Sequence, residues 1–487
     1  MRISSIIRCV RNANGSGHEQ RRQTDGPGKD EVNRMNDFRK TAQEMLEFIR
    51  ISPTCFHAVA NIGRMLEAAG FQQLQEKEEW KLEKGGRYYT ERNDSSVIAF
   101  AIPEKEVGIR GFHMAAAHSD SPCFKIKEKP ELTVEEHYLR LNTEKYGGMI
   151  LSTWLDRPLS IAGRLAVKNG NGIEGRLVNI DRDLCVIPNV AIHMNREMNK
   201  GVEYNPQVDL LPLLADVSFD EYDTHTTYDA QTASENAEEQ TETVEKPTLA
   251  ALAAEAAGVD AETILGEDLF LYTRQEGKMI GAKGEFVLSP RLDDLQSAFA
   301  LTKAFTESTP AEYINLCAVF DNEEVGSGTR QGADSTFLED TLQRITEGLQ
   351  EGHSTYLRWV ADSFLISADN AHAVHPNHPE KADPANRPYL NGGIVIKYHG
   401  SQKYTTDGIS AAKMKDYCER AKVPYQTYAN RSDIAGGSTL GNISTAHVSV
   451  SSVDIGLPQL AMHSAVETAG MKDTEYAVRA LKEFWGE

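Results

Sequence analysis

The 487-residue sequence has few cysteines, fewer basic than acidic residues and no long apolar run. No apolar stretch approaches the ~20 residues that a membrane-spanning helix requires. Lys and Arg number 51 against 72 Asp and Glu, and the resulting formal charge of -21 argues against nonspecific binding to nucleic acid or anionic membranes. The six cysteines are scattered without a C-x-x-C pair, so we expect reduced, mostly buried thiols in a cytoplasmic protein.

The first 34 residues are polar and mixed in charge. Arg8 and Arg11 interrupt their only apolar patch, so this stretch lacks the apolar core of a signal peptide. We expect a disordered tail at residues 1–34, followed by a helix that begins at Met35.

The length of the chain predicts either several domains or one catalytic domain that carries a large insertion. Apolar strands alternating with amphipathic helices predict an α/β catalytic domain over 35–127 and 282–487, with a mostly parallel central sheet and flanking helices. Residues 128–281 are predicted to form an inserted β-rich domain, because Asn169-Gly170-Asn171-Gly172 is a strong hairpin signal. Within it, residues 222–246 have the composition of a mobile acidic loop, and 249–265 have helical periodicity.

The strongest functional signal is the pair Glu323 and Glu324. The apolar run from Ile314 to Phe320 predicts a buried strand that delivers both carboxylates into a Gly/Ser turn. One carboxylate could hold a metal ion while its neighbour moves a proton, because a divalent cation would offset their mutual repulsion. Taken alone, such a pair is more often a solvated turn.

Four further apolar runs end in potential metal ligands. They lead into His118 with Asp120 two residues later, the pair Asp293-Asp294, Asp369 followed by His372, His375 and His378, and finally His463. Each has an ordinary interpretation, such as a buried structural His, an Asp at a helix N-terminus or a surface turn. Together they predict a two-metal hydrolytic site, because ligands gather at the C-terminal ends of strands in α/β sheets. Nitrogen and carboxylate ligands suit Zn, Mn or Co, and one of the two adjacent glutamates would be the base.

From about Met35 onward, the sequence resembles the aspartyl aminopeptidase family of dinuclear zinc metallopeptidases. The motifs that carry this resemblance are Ala117-His118-Ser119-Asp120-Ser121-Pro122-Cys123, Pro290-Arg291-Leu292-Asp293, Phe320-Asp321-Asn322-Glu323-Glu324-Val325-Gly326-Ser327, Ser367-Ala368-Asp369-Asn370-Ala371-His372-Ala373-Val374-His375-Pro376-Asn377 and Gln459-Leu460-Ala461-Met462-His463-Ser464.

The resemblance implies two divalent metal ions, Zn²⁺ first and Mn²⁺ or Co²⁺ as alternatives. It implies that Asp293 bridges both ions, that His118 and Asp369 complete one metal position, and that Glu324 and His463 complete the other. Glu323 corresponds to the general base, and Asp120 to the residue behind His118.

The resemblance also supplies expectations for the substrate and for assembly. His372 matches a substrate-contacting position, and Lys397 matches a cation near the side chain of the substrate's N-terminal residue, which would favour Asp or Glu there. His193 resembles a His that reaches a neighbouring subunit's active site. The inserted domain would mediate subunit contact in a homo-oligomer, commonly a dodecamer built from dimers.

The sequence therefore predicts a metal-dependent aminopeptidase that removes an N-terminal residue, Asp or Glu, from peptides. Three alternatives remain open: a preference for neutral residues such as Leu, a deacylase or carboxypeptidase with the same ligands, and a noncatalytic assembly protein. A nucleotide site at 432–439 is rejected because the spacing of a phosphate-binding loop is missing. No Gly-x-Ser-x-Gly elbow supports a serine nucleophile.

Overall fold

The computed structural model describes residues 29–104, 108–217, 248–437 and 439–487. The predicted acidic loop at 222–246 and the first 28 residues of the predicted tail lie outside these ranges. None of the described helices has the length and apolarity needed to cross a bilayer. In chain order they are α1 Lys29–Arg50, α2 Cys55–Ala68, α3 Leu249–Ala257, α4 Leu292–Thr306, α5 Phe337–Gly348, α6 His353–Ala361, α7 Gly408–Arg420, α8 Leu440–His447 and α9 Asp473–Trp485.

The described strands form three sheets, and the class is therefore mixed α/β, as predicted. In chain order the strands are β1 Gln72–Gln73, β2 Arg87–Arg92, β3 Ser96–Ala101, β4 Phe112–His118, β5 Cys123–Val134, β6 Tyr138–Tyr146, β7 Leu159–Asn169, β8 Gly172–Asn179, β9 Leu213–Asp216, β10 Ile264–Thr273, β11 Lys278–Ile280, β12 Phe286–Ser289, β13 Ile314–Phe320, β14 Phe364–Ala368, β15 Ala371–His372, β16 Ile394–Tyr398, β17 Tyr425–Ala429, β18 Ser451–Gly456, β19 Pro458–Leu460 and β20 Glu467–Gly470.

The nine-stranded central sheet has the order β1-β2-β3-β13-β4-β14-β18-β16-β17. Its middle strands β13, β4, β14 and β18 are parallel neighbours, whereas β3 joins β13, and β16 joins β18, in antiparallel fashion. In the register of β13 and β4, Phe320 lies opposite His118. Residues that follow β4, β13 and β14 therefore meet at one edge of the sheet.

Two apolar cores lie on the two faces of the central sheet. Ala115 and Ala117 of β4 belong to the core that α1, α2, α4, α7 and α9 cover, whereas Met114 and Ala116 belong to the core under α5, α6 and α8. This division follows from the alternation of side chains along a strand. It also explains why β4 is apolar from Met114 to Ala117 before it ends at His118, since both faces of the strand are buried.

Residues between β4 and β11 build a second sheet of six antiparallel strands, in the order β8-β7-β10-β5-β6-β9. The hairpin predicted at Asn169-Gly170-Asn171-Gly172 joins β7 to β8, and Asn169 pairs with Gly172. This sheet has its own core, in which Phe124, Leu141 and Leu269 pack with Leu249 of α3. We refer to it below as the second sheet.

A third sheet of five short strands has the order β11-β12-β20-β19-β15. Its strand β12 pairs with β20, so that Ser289 lies opposite Glu467. This pairing places the start of α4 beside the loop between β19 and β20.

Two predicted helix boundaries differ from the structure. Helix α1 begins at Lys29, whereas the predicted start was Met35. The helical periodicity of residues 249–265 holds only as far as Ala257, because Gly258 ends α3 in the left-handed conformation with φ +65°. The chain then enters β10 at Ile264.

Candidate metal centre and active site

Five chain segments bring the five predicted ligands into one cluster, and three of them, Asp293, Asp369 and His463, also line a cleft. The five ligands are His118 at the end of β4, Glu324 in the turn after β13, Asp369 directly after β14, Asp293 at the start of α4, and His463 between β19 and β20. The parallel strands of the central sheet deliver the first three, and the third sheet brings the last two together. Ligands distant in sequence therefore converge because the strands that precede them are neighbours.

Asp293 occupies the centre of this arrangement. Its Oδ1 lies 3.5 Å from His118 Nε2, and its Oδ2 lies 3.3 Å from His463 Nε2. His463 Nε2 is also 3.4 Å from Glu324 Oε1. Each oxygen of Asp293 thus faces a different histidine, which is the arrangement expected of a carboxylate shared by two metal positions.

Potential ligand atoms fall into overlapping groups whose members lie within 4.8 Å of one another. One group contains His118, Asp293, Asp294 and Asp369, and another contains Asp293, Glu324 and His463. Asp294 was predicted only as part of the pair Asp293-Asp294 and is not in the ligand set that the resemblance implies. One of its oxygens accepts the backbone N–H of His118 at 3.3 Å.

The charges of the centre are unbalanced within the described residues. Asp293 Oδ1 and Glu324 Oε1 are buried and receive no hydrogen bond from these residues. Burial raises the pKa of Glu324 well above its usual value, and the nearby charge of Asp293 adds to this effect. Burial also opposes ionisation of Asp293, yet His118 and His463 hold the pKa of Asp293 below its usual value. Buried carboxylates with unpartnered oxygens facing imidazole nitrogens fit a divalent cation.

Asp120 supports both sides of the centre, as its predicted place behind His118 requires. Its backbone oxygen lies 3.1 Å from His118 Nδ1, and its Oδ1 lies 3.4 Å from the same atom. Its carboxylate also accepts the backbone N–H groups of Glu323 at 3.1 Å and Glu324 at 3.2 Å. One buried carboxylate therefore orients a histidine and fixes the turn that carries both glutamates.

Glu323 lines the cleft beside Asp293 and Asp369. Burial raises the pKa of Glu323 to about 7; His118 opposes this rise, and Asp369 and Asp120 add to it. A carboxylate with this pKa exchanges protons readily near neutral pH, which is the property required of a general base.

The cleft itself has a volume of ≈ 340 Å³, and Lys397, His372, Tyr404 and Tyr428 line it together with Glu323. Lys397 is only 3% exposed, and its Nζ lies 3.5 Å from Asp369 Oδ2 and 5.4 Å from the ring centre of Tyr404. Burial lowers the pKa of Lys397, but Asp369 and Tyr404 outweigh this effect and hold the ammonium charged. Lys397, the residue predicted to bind the side chain of the substrate, thus lies in the cleft and contacts Asp369, a predicted metal ligand.

His193 is the predicted site residue that the structure does not bring to the cleft. It is exposed in the segment between β8 and β9, and it is not among the residues that line the cleft of its own chain. Its predicted role concerns a neighbouring subunit.

Two buried carboxylates in the surroundings of the site were missed by the sequence reasoning. Glu467 accepts the backbone N–H of Asp293 at 3.0 Å and that of His463 at 2.7 Å, and burial raises the pKa of Glu467 to about 8. Asp454 on β18 accepts hydrogen bonds from Thr405 and Thr439, which belong to two loops beside the cleft. The four-residue spacing from His463 to Glu467 was visible in the sequence, whereas no local signal distinguishes Asp454.

Comparisons with known proteins agree on one family. The model of the family described as aminopeptidase I zinc metalloprotease (M18) matches residues 48–485. A probable M18 family aminopeptidase 2 of Clostridium novyi is 46% identical over 448 residues, which cover 92% of this chain and 98% of the relative. A protein of the same description from Pseudomonas putida is 40% identical over 442 residues, or 91% of this chain and 97% of the relative.

Solved structures give the same result. Ape4, in a complex with Nbr1, has a TM-score of 0.84 and 36% identity, and the match covers 92% of this chain and 86% of that one. A subunit of the mApe1 dodecamer of S. cerevisiae has a TM-score of 0.76 and 26% identity, with 92% of this chain and 97% of that one covered.

Proposed function

The chain belongs to the M18 family of zinc aminopeptidases, and we propose that it removes N-terminal Asp or Glu residues from peptides at a centre of two metal ions. The observation that carries this proposal is the position of Asp293 between His118 and His463, within a cleft that also contains a charged lysine.

The residues of the centre fit two divalent ions. Asp293, His118 and Asp369 would hold one ion, and Asp293, Glu324 and His463 would hold the other. The buried oxygens of Asp293 and Glu324 that lack hydrogen bonds are those that ions would neutralise. When bound, such ions supply Lewis-acid polarisation of the scissile carbonyl and make water more acidic.

Glu323 then has the role of proton carrier. It takes a proton from the attacking water as the oxygen of that water bonds to the carbonyl carbon. It returns the proton to the departing nitrogen as the C–N bond breaks, so no covalent intermediate with the protein is needed. Asp120 fixes the position of Glu323 through the backbone N–H of this residue.

Lys397 supports the proposed acidic specificity. A buried ammonium in the cleft would bind a side-chain carboxylate strongly, because water is largely excluded there. Its contact with Asp369 places this charge beside the metal centre, where the N-terminal residue of a substrate would lie. His372, which also lines the cleft, would contact the substrate as well.

Assembly completes the proposal. The related mApe1 structure is a dodecamer, and we propose that this chain also forms a homo-oligomer. Exposed apolar side chains surround His193 in the second sheet region, and they include Ile192 at 42% and Met194 at 83% exposure. In an assembly this segment would be covered by a neighbouring subunit, and His193 would contribute to the active site of that subunit.

The test compares the release of N-terminal Asp, Glu and Leu from otherwise identical peptides by zinc-reconstituted protein. We expect metal-dependent release with an acidic preference, and no release after metal removal or from peptides with a blocked amine. Cleavage of the blocked peptides would instead indicate a deacylase or carboxypeptidase.

Lys397→Met tests the specificity separately. We expect kcat/KM for Asp and Glu peptides to fall by roughly 10- to 100-fold, as for the loss of a hydrogen bond to a charged group, with a smaller loss on Leu. Lys77→Met, which removes an exposed lysine between β1 and β2 that does not line the cleft, is the matched control. Equal losses on all three substrates, at unchanged metal content, would contradict the assigned role of Lys397.

A further inference from the structure

The segment of residues 146–153, which begins with the last residue of β6 in the second sheet, lies against the loops that carry Glu324 and His463. We call it the support segment. It comes from a sheet that contributes none of the predicted ligands of its own chain. Its contacts to the metal centre are nevertheless direct.

Gly148 fixes the imidazole of His463. The backbone oxygen of Gly148 lies 2.5 Å from His463 Nδ1. Because a carbonyl oxygen can only accept, Nδ1 carries the proton, and Nε2 is left with a free lone pair facing Glu324 and Asp293. This is the tautomer that a metal ligand requires.

Two more hydrogen bonds hold the loop of His463 on the support segment. The backbone N–H of Ile150 donates to the backbone oxygen of His463 at 2.9 Å, and Thr153 Oγ1 accepts the N–H of Ala465 at 2.9 Å. The backbone and the ring of His463 are therefore both positioned by the same segment.

Gly147 makes the contact with Glu324. It has a φ of +76°, and a Cβ at this position would lie 3.1 Å from Glu324 Cβ and 3.3 Å from its backbone oxygen. Both the backbone conformation and the short approach require glycine. A side chain here would displace Glu324.

Tyr146 connects the support segment to Asp120. Its hydroxyl donates to Asp120 Oδ2 at 2.7 Å and accepts from Asn322 Nδ2 at 2.8 Å. Asp120 in turn accepts the N–H groups of Glu323 and Glu324. The turn that follows β13 is thus fixed from the second sheet as well as from the central sheet.

The other metal position has different supports. Asp369 is anchored by its backbone N–H to Ile455 of β18, and His118 is the last residue of β4, both in the central sheet. Gly147, Gly148 and Thr153 contact neither of these two ligands in the hydrogen bonds and close approaches of the described residues.

We infer that residues 147–153 of the support segment determine the affinity of the Glu324–His463 metal position and leave the His118–Asp369 position largely independent of them. Tyr146 is excluded from this selectivity, because Asp120, which its hydroxyl contacts, also contacts His118. This inference rests on the proposed dinuclear centre. It makes residues 147–153 positioning residues, and it assigns the second sheet a part in building the active site of its own chain.

The experiment titrates zinc into metal-free protein by calorimetry and measures zinc per chain after dialysis against a weak chelator. We expect two binding events in the wild type. In Gly147→Ala, one event should weaken by roughly 10- to 100-fold, as for loss of an outer partner of a ligand, while the other event is unchanged. Gly70→Ala is the matched control, because Gly70 has a φ of +84° and nothing within 4 Å of an added Cβ.

Thr153→Val provides a second variant, because it keeps the shape of the side chain and removes the acceptor for the N–H of Ala465, together with the hydroxyl donor to the backbone oxygen of Ile150 in the same segment. We expect a smaller weakening of the same single event, and this comparison decides the matter if Gly147→Ala does not fold. Unchanged titrations in folded variants, or equal weakening of both events, would overturn the inference. A single event in the wild type would remove its premise, whereas two events without peptidase activity would overturn the proposed function alone.

Discussion

Glu323 and Glu324 are adjacent in sequence but have different surroundings. Glu324 places Oε1 3.4 Å from His463 Nε2, whereas Glu323 lines the open cleft. The sequence could predict that one of them is the base but could not distinguish them without the family resemblance. The distinction depends on which side chain faces His463, and His463 comes from a different part of the chain.

Glu323→Gln should reduce kcat by roughly 10²- to 10⁴-fold, because the amide cannot carry the proton while its size is unchanged. Zinc content should remain at the wild-type value, since Glu324 and the other proposed ligands are untouched. Steady-state kinetics and elemental analysis of the same sample measure both quantities. Glu262→Gln, at an exposed position, is the control, and near-normal turnover of a fully zinc-loaded Glu323→Gln protein would exclude Glu323 as the base.

The proposed ligands can be located from the sequence more readily than the residues that support them. His118, Asp369 and the adjacent glutamates each follow an apolar strand, and strand ends can be located from periodicity. Tyr146, Gly148 and Glu467 act through hydrogen bonds with loops far away in the chain, and these bonds depend on how the sheets pack.

At the scale of elements, strands were predicted closely and helix ends less so. The predicted strand Ile314–Phe320 has the same bounds as β13, because its two buried faces leave a continuous apolar run that polar residues end sharply. Helix α3 is shorter than its periodicity suggests, because a glycine in the left-handed conformation ends a helix irrespective of the apolar residues that follow.

His113 of β4 illustrates a contact between elements that periodicity does not reveal. Its ring stacks on Tyr313 at 3.7 Å and on Phe484 of α9 at 4.5 Å, and its Nδ1 lies 3.2 Å from the backbone oxygen of Phe484. Burial lowers the pKa of His113 to about 4. A neutral, buried imidazole therefore joins α9 to the central sheet.

The burial of a neutral His113 predicts that the free energy of unfolding falls as the pH is lowered. Unfolded His113 binds its proton near pH 6.5 and the folded residue near pH 4, so the unfolded state holds more protons between these values. The contribution of His113 to the free energy of unfolding is complete above about pH 6.5 and should fall by about 2 kcal/mol between pH 7 and pH 5. Urea unfolding of the metal-free protein at both pH values measures it.

His113→Phe keeps an aromatic ring in the stack and should remove this part of the pH dependence. His353→Phe, at an exposed position at the start of α6, should leave the dependence unchanged. The same pH dependence in His113→Phe and wild type would show that His113 is not the residue responsible.

At the scale of the whole molecule, the class was predictable and the strand order was not. Alternation of strands and helices identified an α/β protein, but it gave no indication that β4 lies between β13 and β14, or that β3 joins β13 in antiparallel fashion. Sheet order depends on long-range pairing, for which no signal exists in a local stretch of sequence.

The proposed role of His193 predicts complementation between subunits. His193→Ala and Glu323→Gln should each be inactive, since each removes one proposed catalytic group from every site. Mixed assemblies should recover part of the activity, because some sites would receive an intact Glu323 from one chain and His193 from its neighbour. Peptide-release assays before and after joint dissociation and reassembly measure the recovery.

The control replaces the Glu323→Gln chain by one that carries both substitutions, which cannot form an intact site with His193→Ala. Absence of recovery in verified mixed assemblies, or full activity of His193→Ala alone, would contradict the role of His193 in a neighbouring site.

The position of β4 between β13 and β14 also has a consequence for biosynthesis. As the chain leaves the ribosome, β4 ends at His118, but its first neighbour β13 begins only at Ile314. The intervening residues build the second sheet from contiguous strands, so that sheet can form while β4 is still unpaired. The apolar strand β4 therefore remains unpaired while an entire sheet is synthesised. Unpaired apolar strands promote aggregation, so we expect nascent chains of this length to be prone to it.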